Sequence, residues 1–143
     1  MIVAKRASVA TRKTIGLRGE QEAVRYLRKR GYTILAHRER ILRGDIDIIA
    51  LDKRTIVFVE VRSKTSTERG HPAETVDTRK KQRICTLANA YIKQHRLQEH
   101  SFRLDVVTVL FSNSIQAQNR WLFWRSGNAP IIEHFQNAFE SDA

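Results

Sequence analysis

The sequence predicts an α/β fold built on a mixed sheet, and three observations carry that expectation. Residues Ile84, Leu87, Ala88, Tyr91 and Ile92 recur at helical spacing on one side of a long segment. The run Ile56-Val57-Phe58-Val59-Glu60-Val61-Arg62 is dominated by β-branched residues, as a central strand is. The order of segments along the chain is helix, three strands, helix, strand and a small tail, which stacks helices on a sheet.

Taken in order, residues 1–14 are basic and free of acids, and read as a flexible arm in front of a single domain over 15–143. A helix is expected over about 15–30, with Leu17, Val24 and Leu27 at helical spacing and Gly31 placed to end it. Residues 32–42 read as a first, irregular strand, Gly44-Asp45 as a turn, and residues 46–51 as a second strand. Asp52-Lys53-Arg54 is a short hairpin connection into the third strand at 56–62. A polar loop over 63–72 holds Gly70, and a long helix covers about 76–95. Residues 103–111 read as a fourth strand and 121–124 as a fifth, with a short closing helix over 132–139.

The chain has 143 residues, enough to bury a core without staples. Lys and Arg number 26 against 15 acids, a formal net charge of +11. A field of that sign attracts polyanions, so nucleic acid is the expected partner, although a basic charge by itself specifies no chemistry. The lone cysteine, Cys85, excludes an intramolecular disulfide and a cysteine zinc cluster, and within an apolar helix it reads as core filler. No stretch has the length of a membrane span and the N-terminus has no long apolar run, so a cytoplasmic protein is expected.

Three acids sit where acids are costly. Along the third strand, Val57, Val59 and Val61 share one face and Ile56, Phe58, Glu60 and Arg62 the other, so both faces are apolar and Glu60 is expected to be buried. Asp47 is similarly alone in an apolar second strand, and a hairpin would let it meet Glu60. Glu20 follows Leu17 and precedes Val24 and Leu27 on the helix stripe, which brings it toward the sheet. Converging carboxylates repel in a low dielectric, and a hard divalent cation relieves that repulsion and can activate water at a phosphodiester. The plain alternative is that each acid pairs with a neighbouring arginine.

These residues also carry a likeness. Gly44-Asp45-Ile46-Asp47-Ile48-Ile49-Ala50, followed by Val57-Phe58-Val59-Glu60-Val61-Arg62, resembles the bacterial YraN family, regarded as related to archaeal Holliday-junction resolvases and the PD-(D/E)xK nuclease superfamily. The likeness includes Gly16, Gly19, Glu20, Ala23, Tyr26, Leu27, Gly31 and Tyr32, then Val76, Lys80 and Ala88, the strand from Arg103 to Val107, and Asn137-Ala138-Phe139. It implies a restriction-endonuclease-like, resolvase-like fold, with Glu20, Asp47 and Glu60 binding Mg²⁺ or Mn²⁺ and DNA, branched or damaged, being hydrolysed. It also leaves a homodimer open, since resolvases often act in pairs. Arg62 stands where such nucleases usually have lysine; it supplies charge and donors but stays protonated, which suits phosphate better than proton transfer. Lys64 or Lys80 can compensate, and the family pattern favours Lys80.

Asp45 is a secondary candidate, two residues before Asp47. Asp105 alternates with Arg103 and is expected to pair with an arginine. Lys64, Arg69, Arg79, Lys81 and Arg83 are candidates for a phosphate track, with a solvated helix face as the competing explanation. Gly70-His71-Pro72 falls in the loop after the third strand, the five histidines show no ligand spacing, and Trp121 and Trp124 read as packing residues. Two functions remain open at this point: a metal-dependent endonuclease, or a non-catalytic nucleic-acid-binding module with the same fold.

Overall fold

A computed structural model describes residues 2–65, 77–112 and 129–138, with side chains of the first helix described from residue 12 onward. The element order is α1 (Ile2–Lys29), β1 (Thr33–Ile41), β2 (Gly44–Asp52), β3 (Thr55–Thr65), α2 (Thr78–Gln94), β4 (Phe102–Phe111) and β5 (Ile131–Phe135). The strands form one mixed sheet in the order β1-β2-β3-β4-β5. The first three pair antiparallel through two tight hairpins, while β3 and β4 run parallel with α2 in the crossover that such a pair needs. This is the expected α/β, resolvase-like architecture.

The central strand is covered on both faces, as its two apolar sides require. On one face α2 lays Ile84, Leu87, Ala88, Tyr91 and Ile92 against Ile49, Phe58 and Leu104. On the other, α1 packs Ala23 and Leu27 against Val57, Val59 and Val107. Gly19 makes the second contact close: a Cβ there would overlap the Ser63 hydroxyl, so the helix lies tight on the end of β3. Asp77 caps α2, its carboxylate accepting from the Lys80 N–H at 2.8 Å.

Several expected boundaries change. Helix α1 begins at Ile2 rather than near residue 15, so the segment read as an arm continues the helix. The turn falls on Leu42-Arg43, and Gly44 and Asp45 already belong to β2, because Ile41 pairs with Gly44. Residues 131–135 form a strand instead of opening a short helix over 132–139, held by ladder pairing to β4 from Val106–Phe135 to Leu110–Ile131. Arg69, the Gly70-His71-Pro72 segment, Trp121 and Trp124 lie outside the described residues. Cys85 is half-buried and packs against the α2-side core.

Candidate active site

Hairpin register sets the site. Ile48 pairs with Val59, so the next row along the sheet holds Asp47 beside Glu60. On the other flank, His37 pairs with Ile48 and Glu39 with Ile46, which puts Arg38 across from Asp47. Glu60 is buried, at 7% exposure. Its Oε1 accepts a charged hydrogen bond from Lys80 Nζ at 2.7 Å, and Arg62 Nε stands 3.6 Å from the same oxygen. Asp47 Oδ2 accepts from the Val61 N–H at 2.9 Å. Lys80 reaches Glu60 because it sits one turn before Ile84, on the edge of the helix face that packs on the sheet.

The two carboxylates are in conflict. Burial, then the negative charge of Glu60, push the Asp47 carboxyl up to about 7; the Val61 N–H opposes the rise and Glu20 adds to it. Two oxygen-donor acids held together this way, one of them retaining its proton near neutrality, form a donor set that suits a hard divalent cation. Asp47 and Glu60 therefore fit such an ion.

Glu20 is differently committed. It lines the same cavity, but its Oε2 accepts from Arg38 Nε at 2.7 Å and lies 3.1 Å from His37 Nε2. Arg38 is in the left-handed backbone region, at φ 54°, and the Glu20 contact is what holds its side chain. Among the described residues no three His, Cys, Asp or Glu side chains stand close enough to share one ion. The expected third ligand is thus tied into an arginine bridge, and Arg38 and His37 are the participants that sequence reasoning missed. No pattern in the polar run of β1 singles them out.

Two cavities meet at the acid pair. One, of about 390 Å³, opens toward α1 and is lined by Arg12, Glu20, Asp47, Glu60, Arg62, Lys64 and Lys80 among others. The second, of about 470 Å³, opens toward α2 and adds Asp45, Arg79 and Arg83 to Asp47, Glu60 and Lys80. Lys81 lines neither cavity. Arg62 Nε is buried without a hydrogen-bond partner, an N–H that wants an acceptor. Asp105 is separate: fully buried on the α1 face, it binds Arg103 Nε at 3.1 Å, His134 Nε2 at 2.7 Å and the Asn137 N–H at 2.9 Å. That cluster is the arginine pairing expected for it, extended by a histidine.

The sequence profile described as "Uncharacterised protein family UPF0102" matches residues 19–109, a stretch that contains every element of this site from Glu20 to Lys80. The chain belongs to the UPF0102 family. This is the YraN family that the motifs resemble. A UPF0102 protein of Pelotomaculum thermopropionicum is 38% identical over 128 residues, covering 90% of this chain and 97% of its own. One from Chlorobium phaeobacteroides is 36% identical over 125 residues, covering 87% and 93%. A third, from Caldanaerobacter subterraneus, is 43% identical over 98 residues, covering 68% and 80%. No helix among the described residues of this UPF0102 chain is long and apolar enough to cross a membrane.

Proposed function

We propose that this protein is a metal-dependent endonuclease acting on DNA. The observation that carries the reading is the acid pair: Asp47 and Glu60 side by side, Lys80 at 2.7 Å, in a cavity rimmed by cations. A Mg²⁺ or Mn²⁺ ion held by Asp47 and Glu60 would polarise the scissile phosphate and lower the pKa of a bound water. Lys80 orients the Glu60 carboxylate and adds positive charge where the phosphate gains negative charge. Arg62, its Nε 3.6 Å from Glu60 Oε1, adds a fixed positive charge beside the acid pair that favours a bound phosphate, a role that its permanent protonation suits. Glu20 acts as a positioning residue that aims Arg38 along the same row rather than as a ligand. Arg12, Lys64, Arg79 and Arg83 supply phosphate contacts on either side.

A second reading, a binding module that does not cut, is favoured by Arg62 at the usual lysine position. Incubation with linear, nicked and four-way-junction DNA, in Mg²⁺, Mn²⁺ or EDTA, separates the two. Cleavage that needs metal and disappears in Asp47→Asn and Glu60→Gln supports the enzyme. Binding that weakens with salt, with no product from any substrate, supports the module.

A further inference from the structure

The two hairpins of the sheet have turns of equal length and similar backbone. Each begins with a residue at positive φ, Leu42 at 54° and Lys53 at 55°. The second turn is Lys53-Arg54, both exposed, as solvent would have it. The first is Leu42-Arg43, and Leu42 is 69% exposed, the most exposed large apolar side chain among the described residues. Turn geometry therefore does not demand an apolar residue at such a tip, and the left-handed conformation favours Gly or Asn over leucine.

The two tips also project from opposite ends of the sheet. Leu42 lies at the end where β2 begins and β3 finishes, and Lys53 at the other; Asp47 and Glu60 sit mid-strand, just past the Ile48–Val59 end of the β2–β3 ladder on the Leu42 side. Asp47 lies three residues into β2, roughly 10 Å along the strand from Gly44, with the Leu42-Arg43 turn just beyond it. Between them the surface is continuous: the α2-side cavity shares Arg83 and Leu87 with a shallow apolar hollow of about 600 Å³ under Leu42. The tip is braced, since Arg83 Nη2 donates to the Arg43 carbonyl at 3.2 Å. Gly44 closes the base of the hairpin, where a Cβ would come within 2.8 Å of Leu87 Cδ1.

We propose that Leu42 is a wedge that seats at an unstacked base step of a DNA duplex whose phosphates lie on Arg43, Arg79 and Arg83. The inference rests on the DNA-binding reading above. Charge complementarity selects the occupant: the apolar tip is flanked by exposed arginines at 40, 43 and 83, which suit phosphates, while the leucine between them suits the apolar face of a base. An apolar side chain inserted at a step kinks the duplex and brings more of it onto the protein surface, which here leads toward the acid pair.

The test uses the full chain in EDTA with a short duplex carrying 2-aminopurine at several interior steps. Wild-type protein is expected to raise the fluorescence at least about twofold on binding, as unstacking does. Leu42→Asn, which the turn accommodates without strain, is expected to fold normally and still bind, with the fluorescence rise lost; Leu42→Phe is expected to retain it. The inference is overturned if wild-type protein binds with no change at any step, or if Leu42→Asn gives the same change as wild type. It is also overturned if the substitution alters only the oligomeric state in sedimentation, which would assign the tip to a second copy. Failure to bind duplex at low salt is a different result, and removes the DNA-binding reading itself.

Discussion

Asp47 and Asp105 are both buried acids, and their surroundings drive them in opposite directions. Burial and Glu60 raise Asp47 to about 7. Burial also acts to raise Asp105, but hydrogen bonds from His134, the Asn137 N–H and Arg103 outweigh it and hold that carboxyl below its usual range. The first is an unresolved conflict and the second a satisfied structural anchor. Because the Asp47 value is higher in the folded state than in the unfolded one, its contribution to stability is present below about pH 4 and lost as the pH rises through about 7. Asp47→Asn is therefore predicted to melt several degrees above wild type at pH 8, on the order of 2–4 kcal/mol, with the gap closing toward pH 4 in thermal unfolding scans. Asp105 carries the opposite sign: its stabilisation is present above the unfolded carboxyl value and lost as the pH falls through its lower, folded one. Asp105→Ala should cost about 3–5 kcal/mol, read from urea denaturation at pH 7, since it strands Arg103 and His134 without their partner. Lys80→Met should lower cleavage about 100-fold, measured as single-turnover rates on the best substrate at a temperature where circular dichroism shows the variant folded, since the change also strips the buried Glu60 of its closest cation.

What could be read in the sequence at the scale of elements followed from local pattern. Asp47 and Glu60 stood out because each interrupts an apolar strand, but a connection read as Asp52-Lys53-Arg54 left the hairpin register open; the two-residue turn and the Asp52–Thr55 pairing of the structure set it. Lys80 was legible from its place one turn before Ile84. Strand β5 was not, because Ile131 to Phe135 is too short to show a period; what fixes it is pairing to β4 and the His134 bond to Asp105, both remote in sequence. The Glu20–Arg38 bridge was hidden for a related reason. It depends on a left-handed residue within β1, and no side-chain pattern announces that. The approach of α1 to β3 is equally non-local. Gly19→Ala is expected to destabilise by roughly 1–3 kcal/mol through the Ser63 side chain, and Ser63→Gly in the same protein should recover most of it in chemical denaturation.

Over the whole molecule, a net charge of +11 is spread so that cations border the acid pair on both sides: Arg12, Arg62 and Lys64 toward α1, Arg79 and Arg83 toward α2. A strand of nucleic acid crossing from one cavity to the other would pass directly over Asp47 and Glu60. The proposed function makes the acids the part of this surface that needs a cation of its own, since bare carboxylates repel a phosphate. Mn²⁺ binding, followed by calorimetry at pH 6.5 in two buffers of different ionisation enthalpy, tests that claim directly. The account predicts a single site whose filling releases a proton from Asp47, with both the binding and the release abolished in Glu60→Gln. Heat that is absent at millimolar Mn²⁺, or unchanged when Asp47 and Glu60 are both replaced by their amides, would contradict it.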